Sequence, residues 1–113
     1  MRIYVAGPYT KGDVKKNVEQ AIFFGDWIAA FGHTVFIPHL SYYWDKQIPH
    51  EWEFWMKQDF EWLKLCDAVF RIDGESRGAN MEVEFARKLG KPVYTDITEI
   101  AALPKLWKLP DIP

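Results

Sequence analysis

Segments with strand character alternate with segments of helical periodicity, and this alternation limits the possible folds more than any other feature. Short runs rich in β-branched and aromatic residues are expected to form strands at 3–6, 34–37, 67–72 and 92–95. Apolar residues at helical spacing predict helices at about 13–31, 50–65, 78–89 and 97–107. Such alternation favours parallel strands joined by right-handed crossovers. We therefore predict an α/β, Rossmann-like (flavodoxin-like) fold, with a parallel four- or five-stranded sheet and helices on both faces.

Length and charge limit the classes of protein to which this chain can belong. The 113 residues fit one domain, 1–113, and the formal net charge of -2 gives no basic field for nucleic acid. The single cysteine, Cys66, has no partner for an internal disulfide, and we expect it to be buried. The apolar run at the start of the sequence is too short for a signal peptide or a membrane span. We expect a cytoplasmic protein with no membrane partner.

Three segments are expected to meet at one edge of the sheet. In parallel α/β sheets, ligands bind beyond the carboxyl ends of the strands. The segments 7–12, 38–50 and 73–78 follow predicted strands, and they are rich in Gly, Pro and polar or aromatic residues. We predict that they surround the ligand site, and that 38–50 is irregular.

Two acids on one predicted helix differ in their orientation. At about 100° per residue, Glu84 lies on the polar face, where it can pair with Lys88 one turn later. Glu82 falls within the apolar arc of the same helix and is expected to point towards the sheet. Asp59 lies on the apolar stripe of the preceding helix.

An inward carboxylate costs several kcal/mol unless it is paired or hydrogen-bonded. Two such acids indicate a functional site. The alternative interpretation is structural, with each acid capping a loop or pairing with Arg71 or Arg77.

The start of the helix that carries Glu82 is a candidate anion site. We place Glu82 in the first turn of that helix, after the Ser-Arg-Gly sequence 76–78. Free N–H groups and the positive end of the helix dipole suit a phosphate. Ser76, Gly78 and the following amides would form the cradle, whereas the alternative interpretation makes Ser76 an ordinary helix cap.

Two motifs carry a family resemblance. The sequence Ser-Arg-Gly-Ala-Asn-Met-Glu at 76–82, followed by Gly-Lys-Pro-Val at 90–93, resembles the nucleotide-hydrolysing branch of the nucleoside 2-deoxyribosyltransferase-like family. The opening strand and glycine, 3–7, are similar to that family, as are Asp59 and Asp67. Small GPY-type relatives of unassigned activity share these features. The resemblance covers roughly residues 2–95.

The resemblance implies a set of roles. Glu82 would be the nucleophile that attacks C1′ of the sugar, Tyr4 would orient the Glu82 carboxylate, and Asp59 would contact or protonate the leaving base. Ser76 and the amides of Gly78 and Ala79 would hold a 5′-phosphate. The implied reaction is hydrolysis or transfer at the N-glycosidic bond of a nucleoside 5′-monophosphate or nucleoside.

Departures from the family pattern refine this prediction. Ser76 stands where the free-nucleoside transferases tend to carry an acid, and a hydroxyl can donate to a phosphate. Ser76 therefore favours nucleoside monophosphates and hydrolysis. The first loop has no arginine, so Lys11 is our candidate phosphate cation. Gly7, Tyr9 and His39 complete the predicted substrate-binding residues.

The aromatic segment predicts self-association. Aromatic residues make up 17% of the chain and include six Trp, more than one small core needs. We expect Tyr42, Tyr43, Trp44, Trp52 and Trp55 to stack on a base or to pack against a second subunit, giving a homodimer or homotetramer. The three His show no tight ligand spacing, so we expect no metal or other cofactor, and we expect His33 to be structural.

A non-catalytic nucleotide-binding or sensing module of the same fold is the competing hypothesis. It would keep the phosphate cradle without using an inward carboxylate beside the sugar. The position and chemistry of Glu82 therefore discriminate between the two hypotheses.

Overall fold

The computed structural model describes residues 1–104. Its core is a four-stranded sheet formed by β1 (Arg2–Ala6), β2 (Thr34–Phe36), β3 (Ala68–Arg71) and β4 (Val93–Tyr94). The strand order is β2-β1-β3-β4, and all three neighbouring pairs are parallel. The predicted parallel sheet is therefore confirmed, with four strands in the described part of the chain.

Within residues 1–104, five α-helices connect and follow the strands: α1 (Val14–Ala30), α2 (Ser41–Gln47), α3 (Trp52–Leu65), α4 (Arg77–Lys88) and α5 (Ile97–Ala101). A 3₁₀ turn, Pro38–Leu40, precedes α2. The last predicted helix was expected to continue to residue 107, and the predicted domain to residue 113. Residues 105–113 lie outside the described residues.

Alternation along the strands divides the core into two layers. On one face, Ile3, Val5 and Phe70 pack with residues of α1 and α5. On the other face, Tyr4 and Val69 pack with residues of α3 and α4. Helices thus cover both faces of the sheet, as predicted, and α3 and α4 lie together on the face to which Tyr4 points.

The prediction that the segment 38–50 is irregular is wrong, because this segment is largely helical. The proline-flanked aromatic run contains no side-chain helix cap, so its sequence shows no local start signal. Instead, α2 is held by tertiary contacts. The Asp45 carboxylate accepts hydrogen bonds from the Trp55 indole N–H at 2.8 Å and the His50 amide at 2.9 Å, and the Trp44 ring packs edge-on against Trp55.

Within the described residues, no helix has the length and apolar character needed to cross a membrane. Cys66 is buried at the end of α3, as predicted, with a free thiol. Large apolar side chains are exposed at several places, which include α1 and the region of α2. Phe23 and Trp27 lie one turn apart on α1, and the region of α2 includes Tyr43, Trp44 and the adjoining Ile48.

Candidate active site

Three segments meet beyond the carboxyl ends of the strands, as expected. The His39 ring N–H donates to the carbonyl of Pro8 at 3.0 Å, and Lys11 pairs with Glu75 at 3.7 Å. Gly74 adopts a φ of 124°, and a side chain there would lie 2.7 Å from the Pro8 ring. Contacts between the first loop and both other segments therefore hold these segments together at the ends of β1 and β3, where the strand order reverses.

A hydrogen bond joins the sheet to α4 at this edge. The Tyr4 hydroxyl donates to Oε2 of Glu82, and both side chains are buried, with Glu82 only 5% exposed. Tyr4 occupies the centre of β1, between β2 and β3. The contact predicted between Tyr4 and Glu82 is therefore present. Because Ser76 caps the helix and α4 begins at Arg77, Glu82 lies in the second turn of α4 rather than the first.

Helical phase separates the two glutamates as predicted. Glu84 lies on the opposite face of α4, exposed, and pairs with Lys88 at 3.5 Å. Glu82 has no ion pair with an arginine within 4 Å in the described part of the chain. The alternative interpretation, in which an arginine neutralises Glu82 by direct contact, is therefore not what the structure shows.

Asp59 brings a second carboxyl group to the same place. It lies on α3, half-buried, and makes no hydrogen bond with any residue in 1–104. Burial raises the pKa of Asp59 from its ordinary value to about 7. At neutral pH, this carboxyl group is therefore protonated in a large fraction of molecules and has a proton to give.

Burial also raises the pKa of Glu82, to about 8, and the nearby charge of Asp59 adds to the rise. The Tyr4 hydrogen bond and the positive charge of Arg71 act in the opposite direction and favour the Glu82 carboxylate. Tyr4 itself stays protonated, because burial and then the charge of Glu82 raise its pKa well above its ordinary value. The two acids form a coupled pair that loses its protons near neutral pH.

Arg71 was not among the residues predicted to form the site. It ends β3, and its guanidinium donates to the carbonyls of Ile72 and Gly74 and, at 2.9 Å, to Oδ1 of Asn80. These bonds fix the turn between β3 and α4 and bring a positive charge near Glu82. The sequence signal was a cation at the end of a buried strand, five residues before Ser76, where the Ser-Arg-Gly sequence begins.

A cleft of about 390 Å³ opens beside Asp59. Its walls come from β2, the following 3₁₀ turn, α2 and α3, and they are largely aromatic or aliphatic. The lining residues include Phe36, Leu40, Trp44, Trp55, Gln58, Asp59 and Trp62. Asp59 is the only charged residue of this lining within the described part of the chain, and Glu82 is not part of it. The cleft therefore suits a neutral, flat group.

The rings of Tyr4, Phe36 and Trp62 form a stacked series. Phe36 stacks on Tyr4 with ring centroids 5.6 Å apart, and on Trp62 with centroids 5.2 Å apart. Tyr4 is fully buried, whereas Trp62 is 49% exposed on the wall of the cleft. The series therefore runs from the hydrogen bond of Glu82 to the surface of the cleft.

The predicted anion cradle at the start of α4 is partly occupied by internal contacts. Ser76 caps the helix, since its hydroxyl oxygen accepts from the Ala79 amide at 3.1 Å. That hydroxyl still has its own proton to donate, and the amides of Arg77 and Gly78 belong to the unpaired first turn. A side chain at Gly78 would lie 3.4 Å from Sδ of Met56, which is an ordinary van der Waals distance, so α3 packs close to this glycine without requiring it.

The first-loop residues have distinct surroundings. Lys11 is exposed beside Glu75, next to Ser76, and the buried Gly7 packs against Ile72. Tyr9 is half-buried, and its pKa is raised to about 12 by burial and by the nearby charges of acids that include Asp45 and Asp59. Tyr9 therefore approaches the cleft, whereas Lys11 approaches the start of α4.

His39 was predicted to contact substrate from a loop, but its side chain is buried. Its Nε2–H group bonds the carbonyls of Gly7 and Pro8, and burial lowers its pKa, so the ring is neutral at physiological pH. Its Nδ1 atom has no hydrogen-bond partner within residues 1–104. In this structure, His39 holds the first loop in place.

His33 is buried, and its Nε2 bonds the Ile100 carbonyl at 3.2 Å, which agrees with the structural role expected for it. Among the described residues, no group of three or more His, Cys, Asp and Glu side chains is arranged to hold a metal ion.

A family model described as "Domain of unknown function (DUF7768)" matches residues 1–96. No curated protein matches the chain. Among solved structures, the chain is similar to a 2-deoxyribosyltransferase from the psychrotolerant bacterium Bacillus psychrosaccharolyticus, with a TM-score of 0.63 and 24% identity. The match covers 92% of this chain and 93% of that chain, and it confirms the predicted fold.

The buried Glu82 predicts a specific dependence of stability on pH. Folded Glu82 keeps its proton up to about pH 8, whereas the unfolded chain loses it near its ordinary value of 4.5. The folded state therefore binds more protons across this window, so the free energy of unfolding falls as pH rises through it. Glu82→Gln removes this contribution, and we expect the variant to exceed the wild type in stability at pH 8 by a few kcal/mol.

Urea denaturation of both proteins at several values between pH 5 and 8 measures the effect, with the difference between the two curves as the result. Glu84→Gln, on the exposed face of α4, is the matched control and should follow the wild type. Parallel curves for Glu82→Gln and the wild type would show that Glu82 titrates normally.

Proposed function

This chain belongs to the family described as a domain of unknown function, DUF7768, and we propose that it cleaves the N-glycosidic bond of a nucleoside 5′-monophosphate or nucleoside. The observation that carries the proposal is the hydrogen bond from Tyr4 to the buried Glu82 beside a second acid, Asp59. A carboxylate held towards a sugar and an acid able to protonate a leaving group are the two groups that glycosidic cleavage requires.

In the proposed reaction, a Glu82 carboxylate oxygen forms a bond to C1′ as the bond from C1′ to the base nitrogen breaks. The electron pair of the broken bond stays on the base, which takes the proton of Asp59. Water then attacks C1′, gives its proton to the Asp59 carboxylate and releases Glu82. If a second base replaces water, the same steps amount to transfer.

The pKa shifts of the two acids bring the loss of their protons close to neutral pH, and in the free protein they favour the proton on Glu82 over the proton on Asp59. The reactive state of the pair, with its one proton on Asp59 and Glu82 ionised, is therefore the less populated of the two singly protonated forms. The Tyr4 hydrogen bond and the charge of Arg71 both favour the ionised form of Glu82, whereas Asp59 has neither. Because the pair loses its protons at about 7 and about 8, base release is expected to be fastest between these pH values.

The two sides of the site suit the two ends of a nucleotide. We place the base in the cleft of about 390 Å³, where Trp44, Trp55 and Trp62 offer ring faces. We place the 5′-phosphate at Ser76 and the first-turn amides of α4, with Lys11 nearby. The sugar would then lie between them, next to Glu82 and Asp59.

Substitution of Glu82 tests the chemistry. We expect Glu82→Ala to abolish release of free base from a panel of nucleoside monophosphates, while the variant still folds and binds them. Tyr4→Phe should slow release by about ten- to a hundredfold, because it loses one hydrogen bond to a charged group but keeps the nucleophile. Chromatographic detection of free base measures both effects.

Glu84→Ala is the control, since it lies on the same helix but faces solvent. If the wild type binds nucleotides and releases no base from any of them, the non-catalytic binding module becomes the better hypothesis. The exclusion of Glu82 from the lining of the cleft is the observation that favours that module.

The phosphate end yields a separate prediction. We expect a nucleoside monophosphate to bind about tenfold or more tightly than its nucleoside, because a charge-assisted hydrogen bond to phosphate is added. Ser76→Ala should reduce this preference in calorimetric titrations. Asp96→Ala, which removes the cap of α5 instead, controls for the loss of a helix cap. Equal affinities of the wild type for both ligands would contradict the placement.

We also propose that the protein forms a homodimer or homotetramer through α2. Tyr43 and Ile48 are 62% and 59% exposed, and Trp44 is 49% exposed, which leaves an apolar patch beside the cleft. Light scattering at tens of micromolar should give a multiple of the mass of one chain, and Tyr43→Ser with Ile48→Ser should reduce it. Leu89→Ser, at an exposed apolar position just after α4, is the control. A wild-type monomer at that concentration would refute the proposal.

A further inference from the structure

One polar group on the wall of the cleft has no role in the reaction proposed above. Gln58 lines the cleft and is half-buried. Its side-chain amide makes no hydrogen bond with any residue of the described part of the chain. An amide that is partly withdrawn from water and lacks a partner within the fold is available to a ligand.

The helix places this amide between two rings. Trp55, Gln58, Asp59 and Trp62 recur at the i, i+3, i+4 and i+7 positions of α3, which form one helical face. All four line the cleft. A flat group lying against these rings therefore presents its edge to Gln58 and to Asp59.

The surroundings of Gln58 restrict what it can contact. Among residues 1–104, no lysine or arginine lines the cleft, and the remaining lining is mainly aromatic and aliphatic. A phosphate would find no positive charge here, whereas a neutral heteroaromatic ring would find ring faces and one neutral amide. The chemistry of the wall thus matches the hydrogen-bonding edge of a nucleobase.

We propose that Gln58 is a specificity-determining residue that hydrogen-bonds the edge of the nucleobase, an inference that rests on the proposed function. An amide carries both a donor and an acceptor. By rotating its end group, Gln58 pairs with an edge that presents an amino group or with one that presents an oxo group. The wild-type wall therefore accepts both kinds of base, and changing this one group changes the selection.

Two pairs of ligands isolate the effect. The deoxynucleoside monophosphates of adenine and hypoxanthine differ at one edge by an amino against an oxo group, and so do those of cytosine and uracil. Gln58→Glu replaces the amide by a group that only accepts when ionised. We expect the affinity ratio of amino to oxo ligand to rise about tenfold or more in both pairs. Gln58→Leu should weaken all four ligands without favouring either kind.

Binding is followed by tryptophan fluorescence in a Glu82→Ala background, so that no ligand is consumed. Gln20→Glu, an exposed position on α1, makes the same chemical change away from the cleft and should leave the ratios unchanged. Ratios that stay at the wild-type value in Gln58→Glu, or binding of none of the four ligands, would overturn the assignment.

The wild-type chain, assayed in parallel for free base, separates the two proposals. Base release together with unchanged ratios means that the enzyme is correctly assigned and Gln58 is not its base reader. Shifted ratios without base release mean that Gln58 reads the base in a protein that does not cleave it.

Discussion

The burial of one carboxyl group, Glu82, is the constraint on which the rest of the site depends. An acid enclosed by the sheet and two helices is tolerated only when its neighbours compensate the loss of water. Tyr4 donates to it from the central strand, and Arg71 adds a positive charge from the end of β3. Because these groups come from β1, β3 and α4, the relative placement of three elements is tied to one acid.

The site is divided into a polar half and an apolar half, and the carboxyl pair lies between them. The start of α4 offers a hydroxyl and backbone amides, with Lys11 close by. The cleft between α2 and α3 offers rings and one amide. Asp59 belongs both to the cleft and to the carboxyl pair, because it lines the cleft and its charge raises the pKa of Glu82. This division corresponds to the charged and uncharged ends of the proposed substrate.

Features set by local periodicity were predictable from the sequence, and features set by tertiary contact were not. Strand–helix alternation predicted the parallel sheet, and helical phase separated Glu82 from Glu84. The helix α2 was missed because its stability comes from Asp45 and ring packing rather than from capping. The packing of Gly78 close to Met56 was not predictable, because it depends on the angle between two helices. The role proposed for Gln58 could be inferred only from the structure, which shows that Gln58 lies on the face of α3 that lines the cleft.

The manner in which α2 is attached has a consequence for how a ligand reaches the buried acids. This short helix has no side-chain cap, contains no buried residue, and is anchored to α3 mainly by the Asp45 carboxylate and by ring contacts. Its local unfolding exposes little core, so it costs far less free energy than opening the sheet. Where α2 is not covered by a second subunit, one wall of the cleft can therefore detach and return while the four strands stay paired, and access to the site is separated from the stability of the fold.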